Sequence, residues 1–336
     1  MKERVLVVGG AGYIGSVAVS MLLDNGYDVA VFDSLERGHR AAIDSRAEFY
    51  HGDLKERDRI RRVCNAYRPS VAMHFAAYAL VGESMENPSL YFRNNLCAGI
   101  NLLDTLLEVQ ARMIIFSSTC ATFGVPKTLP ITEENPQNPT NPYGESKLMF
   151  EKALLWYDRI HGLKHVSLRY FNAAGATESL GEDHDPETHL IPNVLKVALG
   201  QRDAVSLFGG DYPTPDGTCI RDYIHIEDLC EAHLLAMKLD QSRQYNLGNG
   251  EGFSVLQVIQ AAREITGHPI PVKEEARRPG DPPILVGSAD KIKAELGWRP
   301  KAPEMASMIR SAWEWHKKHP EGYKDEKQAS SLSEGG

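Results

Sequence analysis

The stretch Arg4-Val5-Leu6-Val7-Val8-Gly9-Gly10-Ala11-Gly12-Tyr13-Ile14-Gly15 decides the fold. Its apolar, β-branched run reads as a buried strand, and the glycines that follow it open a helical pattern. Gly9 supplies a tight turn, Gly12 a close approach of backbone to a phosphate, and Gly15 a close helix–strand contact. A pyrophosphate on such a turn meets the free N–H groups and positive dipole end of a helix N-terminus. By itself the pattern also describes a plain strand–helix turn. Asp33 narrows the reading: it ends the second apolar run about twenty residues on, where a carboxylate accepts hydrogen bonds from an adenosine ribose and repels a 2′-phosphate. NAD is therefore expected over NADP, although Arg37 and Arg40 lie nearby and a turn cap into Ser34 is the structural alternative for Asp33.

Working outward, short β-branched runs alternate with longer amphipathic stretches up to about residue 170, the rhythm of strand–helix units that build a parallel sheet. Strands are expected at 4–8, 28–32, 47–50, 71–75, 113–117 and 165–170. Helical patterns at 88–108 and 146–160 carry apolar faces suited either to the core or to a second subunit. After Asn172 the rhythm breaks into a polar loop at 176–188, and no clear repeat follows. The expected organisation is a nucleotide-binding domain over 1–175, a mainly substrate-binding lobe over 176–320 and a frayed polar tail over 321–336.

Bulk properties bound the function. With 336 residues, 42% of them hydrophobic, the chain has enough apolar material for a large core. Its five cysteines are scattered and show no Cys-x-x-Cys spacing, which disfavours a disulfide framework or zinc ribbon and suits a reducing cytoplasm. A net charge of −8 disfavours nucleic acid and anionic membrane as partners. Glycines interrupt the first apolar run too soon for a signal peptide or membrane span.

Tyr143-Gly144-Glu145-Ser146-Lys147 follows a proline-rich stretch and begins a helical pattern, so Tyr143 and Lys147 share a helix face. A neighbouring ammonium favours the phenolate, which makes the tyrosine a candidate base. Ser117-Ser118-Thr119 ends the fifth expected strand at the crevice where ligands lie in open α/β sheets, and Thr119 offers a hydroxyl to the same reacting oxygen. The alternatives are an ordinary surface pair and a local cap. Glu182-Asp183-His184-Asp185 with His189 contains metal-ligating residue types, but loop polarity explains it and no metal is expected.

These elements together resemble the extended short-chain dehydrogenase/reductase superfamily, and the wider wording resembles its UDP-glucose 4-epimerases nearly end to end. The resemblance is carried by His-Phe-Ala-Ala at 74–77, Val-Gly-Glu-Ser at 81–84, Asn-Pro-Tyr-Gly-x-Ser-Lys at 141–147 and Leu-Arg-Tyr-Phe-Asn at 168–172. Asp-Tyr-Pro-Thr-x-Asp-Gly-Thr at 211–218 and Arg-Asp-Tyr-Ile-His at 221–225 carry it further, being wording of nucleotide-sugar enzymes. It implies a Rossmann-type doubly wound parallel sheet with a smaller mixed α/β C-terminal lobe, NAD as cofactor, a UDP-sugar as substrate and a homodimer. It also implies C4 epimerisation through a 4-keto sugar. By matching position, Gly9, Gly12, Tyr13, Ile14, Gly15, Asp33, Asp53, Leu54, Phe75, Ala76, Ala77, Asn95, Lys147 and Tyr170 would hold the cofactor. Tyr143, Lys147 and Thr119 would be catalytic, and Thr119, Tyr143, Asn172, Leu190, Phe208, Arg221, Tyr223, Arg278, Asp281 and Leu285 would line the sugar-nucleotide site. Three departures matter. Thr119 stands where many relatives have serine, and Ala79 stands where some have a cofactor-binding lysine. Leu285 stands where a bulky tyrosine excludes N-acetylated sugars, so UDP-N-acetylhexosamines remain open. A sugar-nucleotide dehydratase would need an acid and a base just after the threonine, and Cys120 and Ala121 cannot serve. An epimerase for UDP-pentose or UDP-uronate, or a non-catalytic NAD-binding regulator, are the remaining alternatives.

Overall fold

The computed structural model describes residues 2–278 and 281–324. The order is β1 (Arg4–Val8), α1 (Tyr13–Asp24), β2 (Asp28–Asp33), β3 (Glu48–His51), α2 (Arg57–Tyr67), β4 (Val71–His74), α3 (Val81–Glu86), α4 (Pro88–Tyr91), α5 (Gly99–Glu108) and β5 (Met113–Thr119). Then come α6 (Pro142–His161), β6 (Lys164–Tyr170), β7 (Asn172–Ala174), α7 (Leu190–Ala198), β8 (Val205–Phe208), β9 (Ile220–His225), α8 (Ile226–Ala236) and β10 (Arg243–Leu247). The chain continues through β11 (Gly252–Ser254), α9 (Val255–Thr266), β12 (Val272–Glu275), β13 (Ile284–Leu285), α10 (Asp290–Leu296) and α11 (Met305–Lys318).

Seven strands form one sheet in the order β10-β6-β5-β4-β1-β2-β3, and every neighbouring pair is parallel. The order reverses between β1 and β4, which opens a crevice at their C-terminal ends. Alternation along β1 sends Val5 and Val7 into a core with α1 and α8, and Leu6 and Val8 into a second core with α2, α5 and α6. Helices therefore cover both faces, and the inner strands β1, β2, β4 and β5 are apolar along most of their length because neither face meets water. The six expected strands are present with ends displaced by up to two residues. The 88–108 pattern is a helix with a π-helical stretch at Phe92–Ala98 between α4 and α5.

One edge strand of the sheet, β10, comes from beyond residue 240, and α8 packs on α1, so later segments return to the main sheet. The second body has a small sheet in which β9 pairs with β7, β11 and β13, a β8–β12 ribbon, and a core from α7, α9 and α11. Among the described residues, no helix is long and apolar enough to cross a membrane. The tail expected at 321–336 lies outside the described residues beyond position 324.

Candidate active site

Gly9 leaves β1 with a positive φ of 83°, a backbone region that favours glycine, and a Cβ there would overlap the backbone of Ala76. At Gly15 a Cβ would run into the Gly9 carbonyl, so the turn and α1 touch backbone to backbone. Gly12 precedes α1 in extended conformation, and no side chain caps the helix. The first-turn N–H groups of α1 are thus left for a ligand, a cradle that fits a pyrophosphate. Asp33 is buried; its Oδ2 accepts the Ala11 N–H at 2.9 Å and its Oδ1 the Leu35 N–H at 2.8 Å. Burial raises its carboxyl above the usual range against the lowering effect of those two bonds.

The other cofactor candidates surround this turn or follow the neighbouring strands. Phe75 and Ala76 donate their N–H groups to the Val8 carbonyl at 2.8 and 3.1 Å, which sets the exit of β4 against the glycines, with half-buried Ala77 next in the chain. Tyr13 donates its hydroxyl to the Gly175 carbonyl at 2.6 Å, and the Ile14 carbonyl accepts the Cys230 thiol at 3.6 Å. Asp53 accepts the Lys55 N–H at 2.8 Å and the Leu54 carbonyl accepts Asn101 Nδ2 at 2.9 Å, just past β3. Asn95, on the π-helical stretch, is buried: it accepts the Tyr78 N–H at 2.9 Å and donates to the Ser146 hydroxyl at 3.1 Å, tying this helix to α6. Arg37 pairs with Glu83 at 3.0 Å and Arg40 lies over the Phe49 ring at 4.6 Å, so both basic residues after Asp33 have protein partners.

Helix α6 begins at Pro142, and Asn141 caps it by accepting the Gly144 N–H at 2.9 Å. The cap sets Tyr143 in the first turn, one turn ahead of Lys147. Thr119 is the last residue of β5 and hydrogen-bonds Tyr143. Burial pushes the Tyr143 hydroxyl up to about 12, while the Thr119 bond opposes that rise. Lys147 is 3% exposed; burial draws its ammonium down to about 7, against the opposing pull of Glu151. Its Nζ donates to the Ser117 carbonyl at 2.8 Å, and among the described residues no hydrogen bond joins it to Tyr143. Tyr170, the last residue of β6, hydrogen-bonds the Ser117 hydroxyl.

A buried layer behind this group is absent from the expected site. Glu151, one turn beyond Lys147, pairs with Arg169 at 2.6 Å and accepts the Ser118 hydroxyl at 2.5 Å. Its signal was the repeat of four that puts residues 143, 147 and 151 on one face of α6.

The sugar-nucleotide candidates gather on the second body. In the small sheet, Asn172 pairs in register with Tyr223, and Leu285 with Arg221. Register partners share a sheet face and residues two apart in a strand share it too, so Asn172, Arg221, Tyr223 and Leu285 lie on one side. Asn172 Nδ2 donates to the Asp222 carbonyl at 2.8 Å. Arg221 pairs with Asp281 at 2.5 Å, and the Arg278 guanidinium lies 4.0 Å from the Phe208 ring centre at the end of β8. Leu190 opens α7. One guanidinium thus lies on an aromatic ring and a second is held by Asp281, residue types suited to a diphosphate and a planar base.

A family model described as the NAD dependent epimerase/dehydratase family matches residues 5–248. A curated relative from Halalkalibacterium halodurans, a UDP-glucose 4-epimerase, is 51% identical over 328 residues, covering 96% of this chain and 98% of the relative. A crystal structure of a UDP-glucose 4-epimerase superposes with a TM-score of 0.94 at 50% identity, covering 96% of this chain and all of that one. The Bifidobacterium longum UDP-glucose 4-epimerase, solved in complex with NAD+ and UDP, gives a TM-score of 0.92 at 40% identity over 95% of this chain and 100% of its own. With a matched family model over most of its length and relatives at this identity, the chain belongs to the NAD dependent epimerase/dehydratase family.

Proposed function

We propose that this chain interconverts the C4 epimers of UDP-hexoses, UDP-glucose and UDP-galactose, with NAD as its cofactor. The observation that carries the reading is the Tyr143–Thr119–Lys147 group at the C-terminal end of β5, beside the switch point where the glycine turn lies. Tyr143 accepts the proton of the sugar 4-hydroxyl, and the Thr119 hydroxyl holds the same oxygen. NAD, when bound, takes the C4 hydride and later returns it. The bond lost at C4 and the proton lost from O4 together leave a 4-keto sugar; return of the hydride to the opposite face and of the proton to O4 gives the epimer with no net redox change. Lys147 supplies the positive charge that draws the phenol down from its raised value.

The cofactor residues proposed are Gly9, Gly12, Tyr13, Ile14, Gly15, Asp33, Asp53, Leu54, Phe75, Ala76, Ala77, Asn95, Lys147 and Tyr170. Asp33 and the partnered Arg37 and Arg40 favour NAD over NADP. Arg221 and Arg278 are assigned to the diphosphate and Phe208 to uracil, with Asn172, Leu190, Tyr223 and Asp281 completing the wall. Binding energy concentrated in the nucleotide lets the hexose turn between the two hydride steps. The division into a nucleotide half over 1–175 and a sugar lobe over 176–320 belongs to the same reading. So does a homodimer formed by α6 and the helix at 88–108, and a cytoplasmic location, which the five unpaired cysteines suit. Leu285, on the sheet face of Arg221, extends the proposed substrates to UDP-N-acetylhexosamines. A purely regulatory NAD-binding role leaves Tyr143 and Thr119, set together at the end of β5, without purpose. Tyr143→Phe should lower kcat by about 10³-fold while the protein still carries NAD, measured by turnover and cofactor release on denaturation; undiminished turnover would remove Tyr143 as the base.

A further inference from the structure

Between β7 and α7 the chain gathers four side chains that the epimerisation does not use. Glu182, His184, Glu187 and His189 each offer one ligand atom, and these atoms all lie within 4.8 Å of one another. Both imidazoles turn Nδ1 toward the same two carboxylates. His189 Nδ1 is 2.8 Å from Glu182 Oε1 and 3.1 Å from Glu187 Oε1. His184 Nδ1 is 3.2 Å from Glu182 Oε1 and 3.8 Å from Glu187 Oε2. Four donors placed tetrahedrally about 2.1 Å from a zinc ion stand about 3.4 Å apart, within this spread of separations.

Hydrogen bonding alone does not account for the arrangement. An imidazole Nδ1 carries at most one proton, and each here faces two carboxylates. The Glu187 side chain is 1% exposed, yet its Oε2 has no hydrogen-bond partner, and neither does the buried Nδ1 of His184 across from it. An unpartnered carboxylate oxygen in so dry a place is costly unless a cation meets it. From sequence the group is Glu182-Asp183-His184-Asp185 with His189, and loop polarity explains it; the fold leaves Asp183 and Asp185 out of the cluster and brings Glu187 into it.

We propose that Glu182, His184, Glu187 and His189 bind one Zn2+ as a structural ion. Two imidazoles and two carboxylates are a donor set that zinc accepts, and four protein ligands leave no open position for catalysis. The ion locks the loop that joins the two halves of the molecule. On one side the loop touches the nucleotide turn: Tyr13 meets the His184 ring edge-on at 6.3 Å, and Asp183 lies 3.5 Å from His39, whose N–H donates to the Ala11 carbonyl. On the other side His189 leads directly into α7, the first helix of the sugar lobe.

The test is elemental analysis of the full-length protein, prepared without a metal-binding tag and passed through gel filtration. The expected result is about one zinc per chain, reduced at least tenfold in the His184→Ala/His189→Ala double variant while bound NAD is retained. Chelation of the wild type should lower its Tm by about 3–6 °C, and added ZnCl2 should restore it. Glu182→Gln serves as the milder variant if the double one does not fold. Wild-type protein with less than about 0.1 zinc per chain and no Tm response to ZnCl2 would overturn the proposal, as would zinc that persists in the variants.

Discussion

Lys147 is the residue at which stability and the proposed catalysis pull in opposite directions. Burial lowers its ammonium from 10.5 to about 7, so between those pH values the unfolded chain holds a proton that the folded chain has released. Stability of the NAD-free protein therefore rises with pH across that window, by an amount on the order of a few kcal/mol. Lys147→Met should flatten this rise and raise the Tm of the NAD-free protein below pH 7, while lowering kcat by about 10²-fold; chemical unfolding as a function of pH, with turnover alongside, checks both. An unchanged pH profile would mean that the ammonium is not the group whose burial costs stability. Tyr143 and Lys147 were legible because spacing along a helix converts directly into a shared face. Glu151 was not, since its importance depends on Arg169 and Ser118 arriving from β6 and β5. Sequence separation hides such partners.

At the scale of elements, strands buried on both faces announce themselves as apolar runs, as in Val5–Val8 of β1, Val29–Phe32 of β2 and Met113–Phe116 of β5. β10 does not: Arg243-Gln244-Tyr245-Asn246-Leu247 begins polar at the sheet's edge, and only its last three residues are buried. The small sheet was hidden for a related reason, because β7, β11 and β13 are two or three residues long and pair only through β9. Register in that sheet gives Leu285 its meaning, since pairing with Arg221 puts it on the face of the sugar-nucleotide candidates. Leu285→Tyr should lower kcat/KM for UDP-N-acetylgalactosamine by about tenfold or more and leave UDP-galactose within about threefold, read from parallel substrate titrations. Equal effects on both sugars would place Leu285 away from the 2-substituent.

For the whole molecule, one face stands out by what it leaves in water. Met149, Trp156 and Ile160 of α6 are 40%, 56% and 65% exposed, and Met85 of the neighbouring α3 is 62% exposed. Spacings of seven and four put the three α6 residues on one stripe, an apolar patch of the kind that marks a protein interface. Trp156→Glu with Ile160→Glu should halve the mass seen by light scattering; a wild-type protein that is already monomeric would remove the proposed dimer. The main sheet was legible up to about residue 170, where strands and helices alternate except between β2 and β3. Beyond it, segments return to the main sheet and leave again, an order that local pattern does not encode. All scales meet in the proposed reaction: a glycine turn assigned to NAD, a tyrosine at the switch point and a lobe assigned to a sugar nucleotide. The most direct measurement is incubation of the purified protein with UDP-galactose and no added cofactor. The account predicts conversion to UDP-glucose up to the equilibrium mixture; a protein that retains NAD yet turns over no UDP-sugar would contradict it.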